Sequence, residues 1–398
     1  MTSTSTSSPH APARRWRNDP HIRAILFQAI ALGLVVWLGW ALFDNTLTNM
    51  QARGINTGFG FLENQAGFGV LFSLIPYNES MSYFRVFLVG LLNTLLVSAI
   101  GVVLATILGF IIGIARLSSN WLVSKIALAY IEIFRNIPLL LQIFFWYFAV
   151  IRGLPSARNS LSVLDMAYLN NRGIYLPAPQ PDTGFGFVVL AFALAIVASL
   201  AWSAHVRHRQ ERTGRRLPVF WVNAALIIGL PALVFLGLGM PLHWSIPVLH
   251  GFNFGGGMAF IPELGALLLA LTMFTAAFIA EIVRSGIESV NKGQREAASA
   301  LGLRPGRSLR LVIIPQALRV IIPQLTTQYL DLFKNSSLAT AIGYPDLVAV
   351  FMGTTLNQTG RAVEIVAMTM GVYLSISLLI SLGMNFYNQR IALRGGRS

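Results

Sequence analysis

Repeated apolar runs, each close to the length that crosses a bilayer, constrain this chain more than any other feature of its sequence. Eight are readable, at about 22–43, 87–115, 126–151, 185–204, 217–240, 263–282, 320–342 and 365–386. A helix needs roughly 20 mostly apolar residues to span the hydrocarbon core. Only 11% of the residues are charged, whereas a soluble domain carries about 25%. The expected fold class is therefore all-α: a polytopic membrane protein of about eight spans, in which lipid replaces much of a hydrophobic core.

The basic residues test that count. With the amino terminus inside, the inner segments collect Arg14, Arg15, Arg17 and Arg23, then Arg116 and Lys125, then Arg207, Arg209, Arg212, Arg215 and Arg216. They also collect Arg284, Lys292, Arg295, Arg304, Arg307, Arg310 and Arg319, and finally Arg390, Arg394 and Arg397. The outer segments hold only Arg53, Arg85, Arg152, Arg158, Arg172 and Arg361. Such a bias is the positive-inside pattern, and gaining or losing one span would scramble it. It also accounts for the formal charge of +14 without nucleic acid, because the cations are dispersed instead of gathered on one soluble face. The first run is too long for a signal-peptide core and no small-x-small cleavage site follows it, so it reads as an uncleaved span after a disordered start. With no cysteine, disulfides, thiolate metal sites and a cysteine nucleophile are excluded.

One compact polar segment interrupts the apolar pattern: GQREAASALGLRPGRSLRLVIIP, residues 293–315. Ser289 or Asn291 can cap a helix start, and Ala297, Ala298 and Ala300 favour helix. Gly302 suits the left-handed position after a helix end. Pro305 suits the first turn of the next helix. The spacing predicts helix, glycine turn, helix at the membrane surface. Small side chains would let another protein come close, and Glu296 among arginines suits an ion pair across an interface. An amphipathic helix resting on lipid headgroups fits the same residues.

Three strings place an acid three residues before a base: Glu132–Arg135, Glu281–Arg284 and Asp331–Lys334. At that spacing both groups share a helix face and can pair, lowering the insertion cost of a lone charge. Arg284, at the inner end of its span, also complements the helix dipole. Glu132, Arg135 and Asn136 stand just before Pro138, which should bend the helix and free backbone groups. Asp331, Lys334, Asn335, Ser336 and Ser337 fall near the middle of the seventh span. Polar groups beside an irregular helix are where transporters hold substrate. Six histidines show no metal-ligand spacing. No phosphate-binding Gly-x-x-x-x-Gly-Lys-Ser/Thr loop occurs among the three lysines, Lys125, Lys292 and Lys334.

The polar segment resembles the EAA motif of ABC importer permeases. Glu296-Ala297-Ala298 is followed after three residues by Gly302, and nine residues later by Val-Ile-Ile-Pro ending at Pro315. Val312 and Ile314 take the aliphatic positions, a mild departure from the family's I-x-L-P. The strings AAFIAEIVRSGIESVNKGQREAASALGL, PQALRVIIPQL, KNSSL and YIEIFRNIPLLLQ are similar to the polar amino-acid subfamily. The additional first span and the inserted fourth and fifth spans resemble the larger general L-amino-acid permease subunits.

That resemblance implies the type I importer fold and a bacterial inner-membrane location with both termini cytoplasmic. It implies transport of amino acids, polar or broad-range, without a cofactor in this chain. ATP hydrolysis would belong to a separate cytoplasmic ATPase subunit. A second permease chain, a related one, and a periplasmic amino-acid-binding protein would complete the assembly. Gly293, Gln294, Glu296, Ala297, Ala298, Gly302 and Pro315 would form the coupling helix that docks on the ATPase. An amino acid needs an anion and a cation side by side, so Glu132, Arg135, Asn136, Asp331, Lys334, Asn335 and Ser336 are the candidates for its path. The implied organisation is a cytoplasmic start (1–21), a first span with its outer loop (22–85), and the first part of the core (86–151). An insert (152–261), the second part of the core (262–388) and a tail (389–398) follow. The alternative is an ion-coupled secondary amino-acid transporter. It would leave the EAA-like segment without a role. A membrane-embedded enzyme would need a nucleophile or metal constellation that the sequence does not display.

Overall fold

The computed structural model describes residues 20–52, 58–213, 218–251 and 253–395. The expected disordered start, with Arg14, Arg15 and Arg17, lies outside the described residues. So do Arg53, Arg215, Arg216 and Arg397. Among the described residues, seven helices are long and apolar enough to cross a membrane, and a bent pair makes up to eight. They are α1 (Pro20–Ala52), α2 (Tyr83–Arg116), the bent pair α3 (Trp121–Asn136) and α4 (Leu139–Ile151), α5 (Phe185–Thr213) and α6 (Val219–Gly237). After them come α7 (Pro262–Glu288), the short α8 (Lys292–Ala300), α9 (Pro305–Ile342) and α10 (Ala362–Gly395).

The centre is α2 against α7. Lipid offers no hydrophobic drive between helices, so close approach of backbones supplies the packing. Gly109 and Gly113 of α2 make it possible. A Cβ on Gly109 would stand 2.6 Å from Ile279, and one on Gly113 2.7 Å from the Ala280 carbonyl. On α7, Ala266, Ala270, Ala276, Ala277 and Ala280 are fully buried. Gly286 continues the seam toward α9, where a Cβ would meet Ile321 at 2.4 Å.

Proline shapes the other spans. The 126–151 run, expected as one span, is two helices bent by 105° at Ile137–Pro138. Gln142 absorbs the consequence: its Nε2 donates to the carbonyls of Phe134 and Ile137, both at 2.9 Å, which are carbonyls the break leaves free. In α9, Pro315 has no N–H for the preceding turn, and the residues just before it, Leu309–Ile313, are wound as a π-helix. Ser336 and Ser337 hydrogen-bond back to the carbonyls of Phe333 and Lys334, each at 2.7 Å. These local bonds compete with the regular ladder, and the chain tightens to 3-10 geometry over Ser336–Ile342.

The all-α expectation holds for the spans but omits a β-rich cap. Among the described residues, eight short strands occupy the two segments that flank the α5–α6 hairpin: β1 (Leu161–Val163), β2 (Ala167–Asn170), β3 (Gly173–Leu176), β4 (Ala178–Pro181), β5 (Leu242–Ser245), β6 (Val248–His250), β7 (Asn253–Gly255) and β8 (Met258–Phe260). One antiparallel sheet runs β1-β2-β3-β8, and β4 pairs with β5 and β6 with β7. The β3–β8 and β4–β5 pairings bring the start of α5, the end of α6 and the start of α7 to one face. The α8 segment, at the other end of α7, lies on the opposite face. The hairpin itself is held by a small stripe on α5, with Ala191, Ala195 and Ser199 buried, and by Asn223 Nδ2 donating to Ser203 Oγ at 2.8 Å.

Candidate functional site

The segment between α7 and α9 folds as its residues dictate. Asn291 is the cap: its Oδ1 accepts from the Gly293 N–H at 2.8 Å. Helix α8 closes with Leu303 N–H donating to the Ala298 carbonyl at 3.1 Å and Gly302 N–H to that of Ser299 at 2.9 Å. This is the double bond of a Schellman turn. Gly302 has φ +72°, and a Cβ there would meet nothing within 4 Å. Backbone sign, not space, therefore selects glycine. Pro305 opens the next helix at its first position.

Two contacts fasten α8 to the spans. Arg295 Nη2 donates to the Ile287 carbonyl of α7 at 3.0 Å. Gln294 Oε1 accepts from Gln316 Nε2 of α9 at 3.3 Å. Ala298 is buried, whereas Glu296, Ala297 and Ala300 are exposed. Helix α8 thus offers a small-residue face carrying an exposed carboxylate, on a segment tied to two spans. Pro315 sits farther along, inside the continuous α9, and serves helix geometry.

Of the three acid-x-x-base strings, one pairs. Arg284 Nη2 stands 2.5 Å from Glu281 Oε1 and its Nε 3.1 Å from Oε2, and Nη1 also reaches Glu288. The other two expected pairs do not form. Glu132 Oε2 instead accepts from Asn136 Nδ2 at 3.0 Å, because the helix ends there and the amide is nearer than the guanidinium. Arg135 turns across to α7 and lies over the Phe278 ring, 5.2 Å from its centroid, a cation–π contact. Asp331 is exposed, and among the described residues its carboxylate has no partner. Lys334 faces a separate cavity of about 500 Å³, lined also by Ser337, Met352, Thr369 and Tyr373. Asn335 is half-buried and Ser336 fully buried. No hydrogen bond or ion pair joins the set on α3 to the set on α9 among the described residues.

A buried polar knot after α9 was missed from sequence. Asp346 is fully buried, and its Oδ1 accepts from the Ala349 N–H at 2.9 Å and from Thr340 Oγ1 at 3.2 Å. Asn93 Nδ2 donates to the carbonyls of Phe72 and Pro345, both at 2.8 Å. Thr94 Oγ1 accepts from the Leu347 N–H at 3.0 Å, and Tyr344 Oη donates to the Asn93 carbonyl at 3.1 Å. These bonds lock the 344–347 turn onto α2. The available signal was Tyr-Pro-Asp ahead of an apolar helix, a helix-start pattern.

The comparisons agree with this architecture. The family described as binding-protein-dependent transport system inner membrane component matches residues 213–393. A protein of Escherichia coli (strain K12), described as the amino-acid ABC transporter permease protein YhdX, is 58% identical over 94% of this chain and 95% of its own. The general L-amino acid transport system permease protein AapQ of Rhizobium johnstonii is 51% identical over 94% of each chain. The glutamate/glutamine/aspartate/asparagine transport system permease protein BztB of Rhodobacter capsulatus is 44% identical over 94% of this chain and 95% of its own. These relatives give the ion-coupled alternative no support. With its apolar helices and near full-length identity, the chain belongs to the amino-acid ABC transporter permeases, multi-pass membrane proteins.

Proposed function

We propose that this permease admits polar or broad-range L-amino acids to the cytoplasm, driven by ATP hydrolysis on a separate subunit docked at α8. The supporting observation is α8 itself: a capped helix tied to α7 and α9, presenting exposed Ala297, Ala300 and Glu296. Coupling needs contacts that differ between two states, and a helix bonded to two spans would carry a push from the ATPase into both. Gly293 and Gln294 frame the start of the docking face. Ala298 and Gly302 set its seat and its end, and Pro315 sets the winding of the span beyond.

In this reading both termini lie in the cytoplasm, the β cap faces the periplasm, and the membrane is the bacterial inner membrane. A related permease chain and a periplasmic amino-acid-binding protein complete the assembly. No cofactor or nucleic acid is required. Glu132, Arg135 and Asn136 beside the α3–α4 break, and Asp331, Lys334, Asn335 and Ser336 at the tightened end of α9, supply the charges of the amino-acid path. The names of AapQ and BztB, general L-amino acids and four acidic or amide amino acids, support that substrate class.

The test is a mild-detergent purification of the tagged chain, native and Glu296→Arg, from cells expressing the whole system. The ATPase should co-purify with the native chain and be lost with the variant, while thermal unfolding of the chain is unchanged. If Glu296→Arg retains the ATPase and full ATP-driven uptake, the docking assignment is wrong.

A further inference from the structure

A cleft of about 720 Å³ lies between α8 and the matching ends of α2 and α3, and the docking face of α8 does not use it. Its walls include Ile114, Leu117, Val123, Ile287, Leu303 and Leu309, with Arg295 and Ser299 at the α8 side. The volume is within the range of small-molecule sites, and such sites are mostly apolar with a few placed polar groups. On a helix of 3.6 residues per turn, Arg295 and Ser299 share one stripe, whereas Ala297 and Ala300 point well away from it. An ATPase gripping the second face leaves the first to another occupant.

Charge and depth say what that occupant is. Arg304 and Arg307, both exposed, flank the wall residues Pro305, Gly306 and Ser308. Arg116 adjoins the wall residues Ala115 and Leu117; its Nη1, one of the guanidinium's five donors, donates to Ser124 Oγ at 2.8 Å. Beside the wall residue Val123, Trp121 is 71% exposed at the first turn of α3, and Leu122 and Ile126 are exposed after it. An exposed tryptophan at a span end marks the headgroup level. An apolar slot at that level, rimmed by arginines, matches a molecule with a hydrocarbon chain and an anionic head.

We propose that an anionic phospholipid of the same leaflet occupies this cleft, its acyl chain between α2, α3 and α9 and its phosphate on the arginine rim. The lipid would wedge α8 against the spans, so the rigidity of the coupling helix would depend on anionic lipid. This goes beyond the transport reading and rests on it only for that consequence; lipid binding itself does not require the ATPase.

The experiment uses the assembled complex in nanodiscs of phosphatidylcholine or of a phosphatidylcholine–phosphatidylglycerol mixture. Leu303 is replaced by benzoylphenylalanine, and native mass spectrometry follows illumination. The expected result is a cross-link to phosphatidylglycerol in the mixed discs. Retention of that lipid should fall about tenfold or more in Arg304→Glu with Arg307→Glu, and substrate-stimulated ATP hydrolysis should be several-fold higher in mixed discs. Should the double variant fail to assemble, the cross-link in the otherwise native complex still decides. A cross-link to the ATPase, equal labelling of both lipids, or displacement by free glycerol phosphate would each overturn the proposal.

Discussion

Helices α7 and α6 have comparable hydropathy, and each is long enough to cross a membrane, yet 61% of an 18-residue apolar stretch of α7 is buried inside the protein and 0% of that of α6. The difference lies in side-chain size. Helix α7 alternates Ala266, Ala270, Ala276 and Ala280 with larger residues and receives the glycines of α2. Helix α6 presents Phe220, Trp221, Ile228, Leu233 and Leu236, all exposed. In lipid, apolarity alone does not bring helices together; small residues that admit a neighbouring backbone do. The core that carries α8 is therefore rigid, and the inserted hairpin is fastened mainly by its own α5 stripe and the β cap.

The largest effect should come from breaking the α2–α7 seam. Gly109→Leu puts a side chain where even Cβ lies 2.6 Å from Ile279 and 3.0 Å from the Ala276 carbonyl. Overpacking costs about 1–3 kcal/mol or more, so thermal unfolding in detergent should drop sharply or the chain should fail to accumulate. A native-like melting point would show that the seam can open without loss.

Gln142→Leu tests the bend in the third span. It keeps the approximate volume but orphans the carbonyls of Phe134 and Ile137, at about 1–3 kcal/mol for an unsatisfied buried group. A moderate melting-point loss is expected, and uptake should fall as well if the proposed amino-acid path runs past Glu132 and Arg135 on α3. Unchanged stability and uptake would mean that the break needs no cap.

The smallest effect belongs to α6. Leu233 is 70% exposed, and Leu233→Ala should change stability by less than about 0.5 kcal/mol. A loss as large as that of Gly109→Leu would mean that the face of α6 packs against a partner chain, and the contrast between core and insert would fail.

Several features were legible in sequence because they rest on local rules. The spans follow from apolar length, the kink from Pro138, and α8 from its cap residue, Gly302 and Pro305. Charge pairing was legible only in part. The same i,i+3 spacing pairs Glu281 with Arg284 but not Glu132 with Arg135 or Asp331 with Lys334. Spacing fixes which groups share a face, whereas neighbours decide which partner is nearest: Asn136 for Glu132, Phe278 for Arg135. The short strands carried little signal, since three- and four-residue segments pair only when distant loops meet, as β3 does with β8.

What the amino-acid order determined by itself is the list of helices able to span a bilayer, because backbone groups in lipid must be satisfied within each helix. It also determined the capped, glycine-ended form of α8, since those bonds close within a few residues. Tertiary structure decided which helices are interior, where each charge finds its partner, and that Asn93, Thr94 and Tyr344 lock a turn to a helix some 250 residues away in the chain. Those outcomes depend on contacts between segments remote in sequence, and no local pattern encodes the distance at which two such segments come to rest.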